Sequence, residues 1–190
     1  MRLATEAFPG SCDVSDACDE LGIPAVRTGG IRPVWPGCPA LFGRVRTLTL
    51  APDATADPLS DVLAALTEIP AGDVAFIDLD GRLDVQCWGG RTADAARRAG
   101  VAGALVNGAV RDVSALRSLE FPTFALGTYP ARAKGRLRYC GSGHDVVLGA
   151  GIVRSGSAVV ADDDGLVFFP YETARDIVAR ARELAAKDQR

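Results

Sequence analysis

Two short runs carry residue types able to do chemistry: Trp88-Gly89-Gly90-Arg91-Thr92 and Asn107-Gly108-Ala109-Val110-Arg111-Asp112. Paired glycines before a helix let backbone N–H groups come close to a ligand. The positive end of the helix dipole there suits a carboxylate or phosphate. The plainer alternative for Gly89-Gly90 is a tight turn that needs positive φ. In the second run, the Arg111 guanidinium is a planar fork that grips a carboxylate at two points. Asp112 beside it is a hard oxygen donor, suited to Mg2+ or Mn2+ rather than to a soft metal. Mg2+ keeps several waters, so a single aspartate can anchor it. The plainer alternatives are a surface ion pair and a helix N-cap by Asp112. Each run alone is weak; following successive strands, the two would meet at one sheet edge.

The rest of the composition removes other chemistries. A net charge of −3 over 190 residues gives no basic surface for direct nucleic-acid binding. There is no Gly-x-x-x-x-Gly-Lys-Ser/Thr loop and no Gly-x-Gly-x-x-Gly after a strand. The five cysteines, Cys12, Cys18, Cys38, Cys87 and Cys140, form no Cys-x-x-Cys pair and read as reduced, mostly buried thiols. Nucleophilic catalysis would have to use the single histidine, His144, which sits in a Gly-Ser-Gly-His-Asp turn. Asp162-Asp163-Asp164-Gly165 reads as a hairpin loop; it lacks the alternating ligands and distal Glu of a calcium loop. The apolar stretches at 101–106 and 146–153 are too short to span a bilayer, and MRLATEAFPG lacks the apolar run of a signal peptide. The expectation is a soluble cytoplasmic protein without a membrane partner.

The elements that must position the two runs follow from periodicity and punctuation. Val14, Ala17, Cys18 and Leu21 fall on one face of a helix over 11–21, capped by Ser11 or Asp13. The Gly- and Pro-rich stretch 24–39 reads as an irregular arm. Strands are expected at 41–50, 74–79, 83–87, 102–106 and 123–126, with helices at 59–66, 92–99 and 113–119 between them. Thr92 is the expected N-cap of the third helix, and 108–111 the turn after its following strand. From 74 to 126 the order is strand–helix–strand–helix–strand, which suggests parallel βαβ units with ligand loops at the strand ends. Short strands at 136–140, 146–148, 152–153, 158–161 and 166–169 look antiparallel. A helix at 172–187 ends the chain, its stripe made by Ile177, Val178, Ala181 and Leu184. With no repeat or linker, residues 1–190 read as a single domain.

Taken together, Trp88-Gly89-Gly90, Gly100-Val101-Ala102-Gly103-Ala104 and Gly108-Ala109-Val110-Arg111-Asp112 resemble the central signature of RraA-like proteins and the related 4-hydroxy-4-methyl-2-oxoglutarate aldolases. Val14-Ser15-Asp16-Ala17 with Leu21-Gly22 resembles that family's first helix, and Gly30-Ile31-Arg32-Pro33-Val34-Trp35-Pro36-Gly37 its arm. Pro70-Ala71-Gly72-Asp73-Val74 resembles the turn before its buried strand. Ala161-Asp162-Asp163-Asp164-Gly165-Leu166-Val167 with Pro170 resembles its C-terminal hairpin.

The resemblance implies an α/β fold: a three-layer β/β/α swivelling-type domain with a central parallel sheet, an antiparallel C-terminal sheet and a C-terminal helix. It implies a homotrimer or hexamer with sites near subunit interfaces, and lyase chemistry on a 2-oxo acid with Mg2+ or Mn2+. Carried over, Arg111 and Asp112 are catalytic. Arg111 holds the carboxylate or polarises the carbonyl, Asp112 binds the metal, and Gly89, Gly90, Arg91 and Thr92 cradle the substrate. The chain departs from the pattern at Gly90 and Ala115, the two places where a second acid stands in active members. Asn107 replaces a frequent Asp, Ser155-Gly156-Ser157 replaces Pro-Gly-Asp, and Asp94 is the nearest substitute acid. Two other functions stay open: a non-catalytic regulator that binds a protein such as a ribonuclease, and a pocket reused for another reaction.

Overall fold

A computed structural model of the chain describes residues 8–188. The reading that no apolar leader run opens the chain falls largely on 1–7, outside the described residues.

The long strand β3 (Leu41–Pro52) organises the sheet. On one side it pairs in parallel with β4 (Val74–Asp78), which pairs with β6 (Gly103–Val110), which pairs with β7 (Thr123–Thr128). The short β5 (Gln86–Trp88) also lies parallel to β6. Helices α2 (Leu59–Thr67), α3 (Gly90–Ala99) and α4 (Val113–Ser118) make the crossovers. On its other side β3 pairs antiparallel with β11 (Ala158–Asp162), which continues into β12 (Gly165–Phe169). A further antiparallel strand, β8 (Leu137–Ser142), joins β3 with a register shift at Thr49/Leu50. The result is a mixed sheet with parallel and antiparallel halves sharing β3, plus a separate hairpin of β9 (Val146–Leu148) and β10 (Gly151–Val153).

Alternation in β11 and β12 shows how the layers are held. Val159, Ala161, Leu166 and Phe168 face the main core, where Phe168 stacks on Phe76 at 5.5 Å. Ala158, Val160, Val167 and Phe169 face the opposite way, onto α1 (Ser11–Glu20) and α5 (Ala174–Asp188). A strand buried on both faces reads as a continuous apolar run, as 158–161 and 166–169 do.

Four expectations need correction. The arm at 24–39 holds two short strands: β1 (Val26–Thr28) pairs with β12 and β2 (Arg32–Pro33) with β7. Their pairing partners lie far along the chain, so local punctuation hides them. Helix α1 takes neither Ser11 nor Asp13 as its cap; its N-cap is Gly10. Ser11 N–H and Oγ instead donate to the two oxygens of Asp162, both at 2.6 Å. The stretch 108–111 is not a turn: β6 runs on to Val110. Gly108 there answers a close approach, since a Cβ would sit 3.0 Å from Leu79 Cβ and 3.2 Å from Arg82 O. Finally, α3 begins at Gly90 with Gly89 as N-cap, so Thr92 is its third residue rather than its cap.

No helix among the described residues is long and apolar enough to cross a membrane. Cys18, Cys38 and Cys87 are buried, and all five cysteines are free. Burial pushes the thiols of these three up, against nucleophilic use at neutral pH.

Candidate functional site

The C-terminal ends of the parallel strands β5 and β6 bring the two runs to one edge, where open α/β sheets bind ligands. Arg111 N–H donates to Trp88 O at 2.9 Å and ties the loops together. Asp112 then turns the chain into α4 with φ 57° and ψ 39°. A non-glycine residue in the left-handed region costs energy, least for Asp and Asn. Its carboxylate Oδ2 accepts from Gly90 N–H at 3.2 Å and lies 3.4 Å from Arg111 Nε.

Neither glycine has positive φ; Gly89 is extended at φ −168°. What Gly89 answers is proximity. A Cβ there would stand 2.9 Å from Asp112 Oδ2 and 3.1 Å from Arg111 Cγ. A Cβ on Gly90 would stand 3.0 Å from Ala115 Cβ and 3.8 Å from Asp112 Oδ2. The two positions at which the resemblance expects a second acid therefore adjoin each other and Asp112, and both hold residues too small to supply a donor.

A cleft of ≈ 360 Å³ opens over this edge. Gly89, Arg91, Thr92, Arg111 and Asp112 line it, whereas Gly90 contributes its N–H to Asp112 behind the wall. Thr92 is buried and its hydroxyl is engaged, donating to Gly89 O at 2.8 Å and accepting Gly89 N–H at 3.0 Å. It fixes the glycine turn. The cleft also takes Gln86, Asp57, Arg132 and Lys134, which the sequence reading missed. Arg132 and Lys134 follow β7, the next parallel strand along the same edge; a pair of cations shortly after a strand end was the available signal. Four cationic side chains (Arg91, Arg111, Arg132 and Lys134) thus face two carboxylates, and the cleft favours anions.

One pairing tempers that charge. Lys134 lies 3.3 Å from Asp57 Oδ2, while Asp57 Oδ1 accepts Leu59 N–H. That N–H, and then Lys134, hold the Asp57 carboxyl below its usual range. Arg111 is the exception. Its Nε is buried and makes no hydrogen bond, because the 3.4 Å approach to Asp112 has ionic range but not hydrogen-bond geometry. An unpaired buried guanidinium N–H is a standing cost that an incoming anion removes.

The remaining candidates lie elsewhere. Asp94 is bound to Arg97 at 3.2 Å and Arg98 at 2.7 Å along α3 and is no substitute acid for the cleft. Asn107 donates to Asp78 Oδ1 at 2.8 Å, a bond an Asp there could not make. His144 is exposed on the β8–β9 turn and does not line the cleft. Asp162 accepts three hydrogen bonds, from Ser11 N–H, Ser11 Oγ and Asp164 N–H, which accounts for the acidic turn structurally. No group of three or more His, Cys, Asp or Glu poised for a metal occurs among the described residues.

Compared with known proteins, residues 11–168 match the RraA-like model, described as Aldolase/RraA. The chain belongs to the RraA-like family. A putative 4-hydroxy-4-methyl-2-oxoglutarate aldolase of Halalkalibacterium halodurans is 32% identical to this RraA-like chain over 185 residues, 96% of the chain and 82% of that protein. Protein DlpA of Legionella pneumophila is 27% identical over 95% of the chain, which spans only 29% of DlpA. The crystal structure of Streptomyces coelicolor RraAS2, an unusual member of the RNase ES inhibitor RraA protein family, superimposes with a TM-score of 0.82 at 29% identity, covering 95% of this chain and 90% of that one. The RraA-like family thus includes proteins named as aldolases and others named as inhibitors, and the aldolase names suggest a lyase.

Proposed function

We propose that this chain is a divalent-cation-dependent carbon–carbon lyase acting on a 2-oxo acid, cleaving a 4-hydroxy-2-oxo acid to pyruvate or decarboxylating oxaloacetate. The observation that carries the reading is the buried, unpartnered Arg111 Nε beside Asp112 in a cationic cleft. In cleavage, the C4 hydroxyl passes its proton to a water in the cleft and becomes a carbonyl as the C3–C4 bond breaks; the bond's electrons move to the C2 oxygen as an enolate, which takes a proton back from water at C3 to give pyruvate. Arg111 would hold the C1 carboxylate and donate to the oxygen that gains charge. Arg91 would hold the acid at the start of α3, where Thr92 fixes the Gly89 turn and the Gly90 N–H holds Asp112, so that the compact loop shapes the cleft wall.

Mg2+ or Mn2+ fits here at the lower limit of its needs. Asp112 is one hard donor with its side chain 45% exposed, so waters from the solvent side could complete a cation's shell. Held there, the cation would supply Lewis-acid stabilisation of the developing negative charge. A homotrimer or hexamer, the three-layer arrangement and the single-domain organisation belong to the same proposal. Sedimentation showing three or six chains supports the assembly, and a monomer at micromolar concentration contradicts it.

That Asp112 is the cleft's one carboxylate not tied to a lysine favours a second reading, in which the fold binds a protein partner such as a ribonuclease without turnover. Pyruvate release decides between them. The lyase reading expects turnover that needs Mg2+ or Mn2+ and falls at least about 100-fold in Asp112→Ala. No metal-dependent turnover, or turnover indifferent to Asp112, would sink it.

A further inference from the structure

Beside Arg111 the cleft is lined by a second polar side chain that bonds to nothing. Gln86 is 7% exposed and lines the cleft. Its backbone N–H donates to Ala131 O at 3.1 Å, which holds β5 against the loop bearing Arg132 and Lys134. Among the described residues nothing hydrogen-bonds its carboxamide. The residue is largely buried, yet its amide atoms are not among the sealed-off polar groups, so the carboxamide opens into the cleft and is free to meet a ligand there. Register gives its position: Gln86 pairs with Ala109 and Trp88 with Val110 on β6. The backbone of Gln86 therefore lies beside a β6 residue two before Arg111, roughly 6–7 Å back along the strand. The charged side chains of the cleft are suited to anions or cations; Gln86 alone offers a neutral donor and acceptor together there.

We propose that Gln86 is a specificity-determining residue of the cleft, hydrogen-bonding a hydroxyl that the ligand carries beyond the carboxylate held by Arg111. For the choice of ligand this rests on the lyase reading, where that hydroxyl is the one on C4. A site built to bond a hydroxyl discriminates against the analogue lacking it, because the protein group is then left unpaired. Gln86 acts on recognition, not as an acid or base, since a carboxamide does not titrate.

The test uses two ligands that cannot be cleaved because C2 is reduced, 2,4-dihydroxyglutarate and 2-hydroxyglutarate, which differ only in the C4 hydroxyl. Their affinities are measured by calorimetry on the full chain with Mg2+ present. The wild type is expected to prefer the dihydroxy acid by about tenfold. Gln86→Met keeps side-chain length and removes the amide. It is expected to bring the preference within about twofold, leave 2-hydroxyglutarate binding within about twofold, and leave the melting temperature unchanged or higher. Gln86→Glu, which keeps the shape but loses the donor, is expected to lose the preference too. The proposal is overturned if the wild type shows no preference, including by binding neither acid, or if the preference survives in both variants. An equal loss of both ligands in the two variants marks a structural residue and overturns it as well. Failure of the lyase reading shows separately, as absent pyruvate release, while the hydroxyl preference remains measurable.

Discussion

A methyl group at position 89 would stand 2.9 Å from Asp112 Oδ2, and the consequences for Arg111 and Asp112 can be worked out from that distance. Gly89→Ala must push the carboxylate or the Arg111 stem aside, because neither the Trp88 carbonyl bond nor the start of α3 can yield without losing hydrogen bonds. The expected cost is about 1–3 kcal/mol in stability, read by urea denaturation, and at least about tenfold in kcat/KM, since small misplacements at a reacting centre are expensive. Asp112 carries its own constraint. At φ 57° alanine is strained where asparagine is not, so Asp112→Asn is the cleaner loss of charge. It should unfold at nearly the wild-type denaturant midpoint, whereas Asp112→Ala should lie about 1 kcal/mol lower.

At the scale of elements, the first helix depends on a residue more than a hundred positions away. Asp162 takes both the N–H and the hydroxyl of Ser11, which is only 4% exposed. Asp162→Ala should therefore lower stability by about 1–2 kcal/mol, as loss of a cap does, with the change seen in thermal melts and a loosened α1 seen as faster amide exchange at 12–18. The same dependence explains what could and could not be read from the residues. The run at 166–169 is apolar throughout and that at 74–79 is so but for Asp78, and both appear as strands because burial on both faces leaves that mark. β1 and β2 leave none, since three- and two-residue strands exist only through β12 and β7. The extension of β6 through Gly108 contradicts the turn that a glycine suggests, because there the glycine accommodates Leu79 and not a bend. Arg111 and Asp112 were legible since they directly follow a strand. Arg132, Lys134 and Gln86 were not, because only the side-by-side order of β5, β6 and β7 brings them to the same cleft.

For the whole molecule, acidic side chains held by donors set the behaviour toward pH. The carboxyls of Asp53, Asp57, Asp84 and Asp94 all lie below their usual range; the first cause is a backbone N–H at Asp53 and Asp57, and an arginine at Asp84 and Asp94. A carboxyl depressed by folding contributes stability above its unfolded value and loses it as pH falls. The melting temperature should thus hold level from about pH 7 to 5 and decline below about pH 4; a decline beginning near neutrality would point to other groups. The site makes a similar whole-molecule demand, because one carboxylate must hold a divalent cation with help from the ligand. Titration of Mn2+ followed by the electron paramagnetic resonance signal of the free ion, with and without oxalate, tests this without knowledge of the natural substrate. The account predicts weak Mn2+ binding by the wild type, at least about tenfold tighter with oxalate, and neither in Asp112→Asn. Mn2+ bound equally well by Asp112→Asn, or no binding by the wild type even with oxalate, would contradict it.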